Sequence, residues 1–458
     1  MLYHHYNWPH LCRIGYKSRM SETIYALASA PGRAGVAVIR ISGRQTARIV
    51  EQLAGRLPPP RQASLCALRH NGQPLDNGLV LWFAGPASYT GEDMAELHLH
   101  GGRAVLAAIS QALTALGARL AEPGEFTRRA VTNGKLDLTE AEGVADLVDA
   151  ETQAQRKQAL RQLGGELRAL YDGWRGQLTH LQAHLEASID FADDDLPPDL
   201  QQQTQHKLHD LLTQMQAHLA DAHRGERLRA GVYAAIIGAP NAGKSSLLNQ
   251  LAQRDVAIVT PIAGTTRDVL EVQLDVGGYP LTLADTAGLR EASDAVEQEG
   301  IRRALARAAE ADFKLLVFDA SAGEVPDFTT LAQYVPGDLL IINKADEADT
   351  SVLKAALKDD AIEISAKTGA GLPELLSAMR TRLDELVGLS PAPVLTRARH
   401  RAAVEETIAA LQRALEPKTI DMVAEDVRLA SRALGRITGQ VGVEDLLDVI
   451  FRDFCLGK

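Results

Sequence analysis

Apolar residues recur in two different rhythms along this chain. In the first third they come in short runs of strand length. Residues 35–41 (GVAVIRI), 78–83 and 94–100 are predicted strands, and 103–116 is a predicted amphipathic helix. Pro58–Pro60 and the Pro123-Gly124 pair mark loops between them. From Thr139 the spacing becomes helical. Val144, Leu147, Val148, Leu160, Leu163, Leu167, Leu170, Leu178, Leu181 and Leu185 outline the buried faces of long helices. The acidic run 193–195 with Pro197-Pro198 interrupts them, and helix resumes to about residue 229. A β/α alternation follows, with strands expected at 232–237, 281–284, 339–342 and 361–364. Past Pro391 and Pro393 the helical rhythm returns and runs to the end.

The expected fold is therefore multidomain, α+β and α/β. A 1–19 extension precedes an N-terminal α+β domain (20–138). A discontinuous helical domain (139–230 and 388–458) carries an inserted α/β domain (231–387), whose Gly-x-x-x-x-Gly-Lys-Ser stretch at 238–245 makes it a P-loop, Ras-like G domain.

Composition narrows the function. The formal net charge is −11, so a long polyanion is drawn only to a local basic patch or to a partner that supplies one. Aromatic residues make up 4%, which argues against stacking platforms for single strands. Cys12, Cys66 and Cys455 form no C-x-x-C pair, so a reducing, cytoplasmic setting is expected. No apolar run spans a bilayer, and residues 1–19 lack a signal peptide's apolar stretch. Met20 opens the ordered pattern and is an alternative start of translation, which would leave 1–19 as a poorly ordered extension.

The strongest chemistry lies in the inserted domain. Gly238-Ala-Pro-Asn-Ala-Gly243-Lys244-Ser245 follows a predicted strand and opens a helix, the context a phosphate-binding loop requires. Its glycines let backbone N–H groups (Asn241, Ala242, Gly243, Ser246) close on phosphate oxygens, with Lys244 on the β- and γ-phosphates and Ser245 on Mg²⁺. Thr260, Pro261, Ile262, Ala263, Gly264, Thr265 and Thr266 come next, Thr266 being able to close over Mg²⁺ and the γ-phosphate. Asp285-Thr286-Ala287-Gly288 brings a carboxylate near the metal and a glycine N–H toward that phosphate. Asn343-Lys344-Ala345-Asp346 offers a carboxylate to guanine N1–H and N2–H₂, which adenine cannot match. Ser365-Ala366-Lys367 can face guanine O6. These motifs in this order predict GTP as substrate.

The glutamine that orients water in Ras-like enzymes is replaced by Leu289. Asn241 is a candidate ligand for a monovalent cation acting in place of an arginine finger. Glu297 either polarises water or is an exposed helix carboxylate.

Asn241-Ala-Gly-Lys-Ser-Ser-Leu-Leu-Asn, Gly264-Thr-Thr-Arg-Asp and Asp285-Thr-Ala-Gly-Leu-Arg-Glu-Ala-Ser-Asp resemble the MnmE (TrmE) family of tRNA-modification GTPases. So do Pro31-Gly-Arg-Ala-Gly-Val, Tyr89-Thr-Gly-Glu-Asp, His100-Gly-Gly, Pro123-Gly-Glu-Phe-Thr, Lys135-Leu-Asp-Leu and Phe454-Cys-Leu-Gly-Lys458. The resemblance implies K⁺-stimulated hydrolysis, with Asn241, Thr260, Ile262 and Thr265 around the ion where two G domains meet, and Glu297 as the catalytic carboxylate. It implies a folate-binding N-terminal domain that also dimerises, holding a 5-formyl- or methylene-tetrahydrofolate through Arg40, Glu96, Lys135 and Lys458. By spacing alone Arg40 and Lys135 read as surface charges. Cys455 resembles the family's functional thiol, and otherwise reads as a small buried hydrophobe. No role is assigned to His98.

The implied reaction adds a carboxymethylaminomethyl or aminomethyl group to C5 of a tRNA wobble uridine. The homodimer would act with an FAD protein of the MnmG (GidA) type, expected to carry much of the RNA-binding charge, as a heterotetramer. The alternative is an Era/Der-type assembly or signalling GTPase without modification chemistry. Such proteins carry a basic appendage or a second G domain, and neither is read in this chain.

Overall fold

The computed structural model describes residues 22–190, 200–221, 223–254, 271–285, 309–357, 360–388, 392–440, 447, 450, 451, 454 and 457. The chain divides into two compact units. One runs to Ala145 and resumes at Gly435, and the other spans Asp146–Leu434.

The first unit is built on a six-stranded sheet in the order β3-β4-β5-β2-β1-β6. Its strands are β1 (Ile24–Leu27), β2 (Ala37–Ser42), β3 (Ser64–His70), β4 (Gln73–Phe83), β5 (Met94–Leu99) and β6 (Arg119–Leu120). All neighbours are antiparallel except β1 and β6. Side chains alternate across a strand, so each strand has a core face and an outer face. Ile39 and Ile41 of β2 and Ala95, Leu97 and Leu99 of β5 are buried with Ile49, Val50, Leu53, Ile109 and Leu113 from helices Thr46–Ala54 and Arg103–Ala115. The residues between them, Arg40 on β2 and Glu96 and His98 on β5, turn to the other face. Register makes Arg40 and Glu96 direct cross-strand partners.

The returning chain belongs to this unit. Phe451 and Phe454 pack with Leu138 and Ala141, their rings 5.0 Å apart. A Cβ on Gly124 would meet both phenylalanines at 2.9–3.0 Å, so a glycine at that turn lets the tail approach.

The second unit holds a six-stranded sheet in the order β12-β11-β10-β7-β9-β8. Its strands are β7 (Val232–Gly238), β8 (Glu271–Val276), β9 (Tyr279–Asp285), β10 (Phe313–Asp319), β11 (Leu339–Asn343) and β12 (Ile362–Glu363). All pairs are parallel except β8 with β9. The interior strands are almost wholly apolar, as strands buried on both faces must be. A parallel sheet brings the carboxyl ends of β7, β9, β10 and β11 to one edge, where ligands bind in open α/β sheets.

Helices Glu166–Asp190, Leu200–Leu219 and Ala398–Ala414 pack on one another, joining segments far apart in sequence. Leu167, Leu178, Leu181 and Leu185 are buried as their spacing predicted. Val148 and Leu160 are not; they are 42% and 43% exposed. Helix Gln153–Leu163 packs instead through Ala154, Gln158, Ala159 and Gln162, with Gln158 Nε2 donating to the Gly225 carbonyl at 3.0 Å. A hydrogen-bonded polar face has displaced the expected leucine face.

Candidate functional site

The P-loop forms because β7 ends at Gly238 and helix Lys244–Ala252 starts six residues later. The loop needs left-handed backbone at two places, Asn241 (φ 63°) and Gly243 (φ 88°). Asn is among the few side chains that tolerate this. Gly243 is required twice over, since a Cβ there would sit 2.1 Å from Asn343 Nδ2. Lys244 is 5% exposed, and its Nζ donates to the carbonyls of Gly238 and Ala239 at 2.9 and 2.7 Å. The Ser245 hydroxyl donates to Asp285 Oδ2 at 2.5 Å, so the first turn of that helix and the end of β9 present two hard oxygen donors side by side.

Asn343, which is 2% exposed, joins the P-loop to the ends of two further strands. Its Nδ2 donates to the Ala242 carbonyl at 2.8 Å and its Oδ1 accepts from Ala366 N at 3.0 Å. One buried amide thus ties the P-loop, the end of β11 and the segment after β12 together. Between them lies an open cavity of about 430 Å³ whose lining includes Gly243, Ser246, Lys344, Asp346, Ala366 and Lys367. The Ser365 hydroxyl, more than the nearby Lys367, holds the Asp346 carboxyl below its usual pKa, so it presents acceptors at neutral pH. Asp319, at the end of β10, receives the Lys344 ammonium at 2.6 Å. Sequence reasoning gave Asp319 no role, although an aspartate closing a strand of this sheet, as Asp285 does, was a readable signal.

In the first unit Arg40 and Glu96 meet as a two-bond ion pair, Nη2 at 2.9 Å and Nε at 3.2 Å from Oε1. His98 Nε2 lies 3.3 Å from Glu96 Oε2. The Arg40 guanidinium stands 5.5 Å over the Tyr89 ring and 5.8 Å over Phe126. It also donates to the Gly457 carbonyl at 3.3 Å, which brings the tail to this pair. Lys135 Nζ donates to the Pro86 carbonyl at 3.2 Å, and its stem lies close to Gly91. The 85–93 loop therefore touches both Arg40 and Lys135.

Beneath that loop runs a buried ion ladder with no sequence-level assignment. Arg129, fully buried, donates to Glu92 and Glu125 at 2.9 Å each, and Arg119 donates to Glu125 at 2.7 Å. Burial alone would raise the Glu125 pKa; Arg119, the Glu122 amide and Arg129 outweigh it and keep the carboxylate ionised. Its signal was an i, i+4 Glu–Arg pair inside Glu-Phe-Thr-Arg-Arg.

Thr260, Pro261, Ile262, Ala263, Gly264, Thr265, Thr266, Thr286, Ala287, Gly288, Leu289, Glu297, Cys455 and Lys458 lie outside the described residues. No described helix is long and apolar enough to cross a membrane.

Two family models match the chain: the MnmE helical domain over residues 138–455, and the GTP-binding protein TrmE N-terminus over 23–135. A tRNA modification GTPase MnmE from Paramagnetospirillum magneticum is 54% identical over 441 residues, covering 96% of this chain and all of that one. Another from Rhodospirillum rubrum is 53% identical, over 95% of this chain and 99% of that one. A mitochondrial 5-taurinomethyluridine tRNA synthase subunit from Danio rerio is 48% identical over 95% of this chain and 93% of its own. Among solved structures, Aquifex aeolicus Era bound to GDP and aluminium fluoride is 26% identical over 41% of this chain, at a TM-score of 0.27 too low to carry weight. With matches of this identity over 96% and 95% of the chain, and a phosphate-binding loop at the carboxyl edge of a largely parallel sheet, the chain belongs to the MnmE family of tRNA modification GTPases, and it is a GTP hydrolase.

Proposed function

We propose that this GTPase is stimulated by K⁺ and, with an FAD-dependent partner of the MnmG type, adds a carboxymethylaminomethyl or aminomethyl group to C5 of the tRNA wobble uridine. The one-carbon unit would come from a tetrahydrofolate. The observation that carries the reading is the company Arg40 keeps: Glu96 on one side, aromatic rings beneath and the Gly457 carbonyl at its edge, all in a unit apart from the nucleotide cavity. A switch without modification chemistry gives no reason for that cluster.

The division of labour follows from the residues. Asp346 would select guanine by accepting from N1–H and N2–H₂, and Lys244 and the loop amides would hold the phosphates. Ser245 and Asp285 fit Mg²⁺, which when bound would neutralise phosphate charge. Asn241, exposed at the loop tip, would offer its amide oxygen to K⁺, with Thr260, Ile262 and Thr265 completing that set and Glu297 polarising water. In the other unit Glu96 suits the N–H edge of a pterin, Lys135 and Lys458 suit folate carboxylates, and Cys455 is the tail's thiol. We also propose dimerisation through the first unit, a cytoplasmic location and the domain limits 138, 230 and 387. The Danio rerio relative's name points to a related product on uridine.

Reconstitution tests the proposal. The purified chain, an MnmG-type protein, tRNA, GTP, K⁺ and methylene-tetrahydrofolate should yield modified wobble uridine by mass spectrometry, and omitting the folate should abolish it. Product formed equally without folate would remove the one-carbon assignment.

A further inference from the structure

Asp319 sits where β10 ends, one strand over from the P-loop strand. Its Oδ1 accepts from the Ser321 amide at 2.9 Å and from the Ser321 hydroxyl at 2.6 Å, and its Oδ2 accepts from Lys344 Nζ at 2.6 Å. Burial raises the Asp319 pKa, but the Lys344 ammonium and the Ser321 donors outweigh it, so the carboxylate stays ionised. Lys344 itself is held in left-handed backbone at φ 63°, a strained state for a lysine. It lines the nucleotide cavity beside Gly243 and Asp346, whereas Asp319 and Ser321 do not.

We propose that Asp319 is a positioning residue for nucleotide binding: it anchors the Lys344 ammonium so that the lysine's methylene stem forms one fixed wall of the cavity that takes the guanine nucleoside. A lysine stem has several free torsions. Fixing them before the ligand arrives moves that ordering cost out of the binding step. The pair is not a loose surface bridge of the kind worth little, because the Asp319 side chain is 12% exposed and its second oxygen is already fixed by Ser321. Among the described residues Asp319 bonds to Ser321 and Lys344 and to no side chain of the phosphate loop, so it acts on affinity and not on the bond-breaking step.

Release of a fluorescent GDP from the full-length protein, followed by stopped flow, reads this directly. Wild-type binding in the same experiment establishes nucleotide binding independently of Asp319. Asp319→Asn keeps an oxygen for the Ser321 donors while removing the charge. It should speed release about tenfold, the scale of one charge-assisted hydrogen bond, with single-turnover hydrolysis at saturating GTP changed less than about twofold. Asp319→Glu should recover part of the loss. Lys344→Met keeps the stem but frees its end and should speed release to the same degree. In that background Asp319→Asn should add nothing. Should Asp319→Asn fail to fold, Lys344→Met alone carries the test. Unchanged release in both variants, a further effect of Asp319→Asn in the Lys344→Met background, or a fall in hydrolysis with release unaltered would each overturn the proposal.

Discussion

Substituting Gly457 by alanine should detach the C-terminal tail from the Arg40 cluster while leaving the nucleotide site alone. Gly457 has φ 90°, a left-handed conformation that costs an L-residue about 1–2 kcal/mol. A Cβ there would also lie 2.3 Å from the Leu27 carbonyl oxygen and 2.9 Å from Ala28 Cα. Both are backbone atoms, and Ala28 N is itself bonded to the Val38 carbonyl at 2.7 Å, so this edge of β1 cannot move aside cheaply. Such overpacking costs about 1–3 kcal/mol. Against a total of about 2–5 kcal/mol stands the Arg40 hydrogen bond to the Gly457 carbonyl, worth about 1.5–3 kcal/mol with its charged donor. The docked tail should therefore lose most of its population. Carboxypeptidase digestion with mass readout is the assay: the last residues of Gly457→Ala should be trimmed at least about tenfold faster than wild type, and GTP turnover should be unchanged. Wild-type protection in the variant would refute this reasoning about how the tail is held.

Three further outcomes are expected. Asp346→Asn should move preference from GTP toward XTP, whose O2 needs a donor; competition binding checks this, and an unchanged margin for GTP removes the assignment of 343–346. Hydrolysis should be faster in KCl than in matched NaCl, and Asn241→Ala should lose that difference while still binding nucleotide. Burial, reinforced by His400 and Arg401 over an opposing Asp221, pushes the His218 pKa from 6.5 down to about 4. The unfolded chain therefore binds the extra proton first: stability is full above pH 6.5 and falls as pH drops toward 4, by about 3 kcal/mol in all. Chemical denaturation across that range should show the fall, and His218→Gln should flatten it.

Much of the second unit was legible because its strands are continuous apolar runs ending in motif residues: Ile237 into the P-loop, Ile342 into Asn343. β10, Phe-Lys-Leu-Leu-Val-Phe-Asp, is as apolar, but the sequence reading gave it no span of its own because no recognised motif follows it. β1, β3, β6 and β8 were also missed; they are short or carry alternating polar residues at sheet edges, where pairing and not composition decides the strand. Arg40 and Lys135 look like surface charges in one dimension. Only strand register sets Arg40 against Glu96. The contact between Gly457 and Arg40 spans 417 positions, a separation that no local pattern encodes.

The central claim is that this GTPase acts on tRNA wobble uridine, and nucleoside mass spectrometry of tRNA tests it most directly. In cells lacking the protein, carboxymethylaminomethyl- and aminomethyl-type wobble uridines should vanish. They should return with the wild-type gene but not with Arg40→Ala, whose GTP turnover should be intact. An unchanged nucleoside profile in the deletion strain would contradict the account.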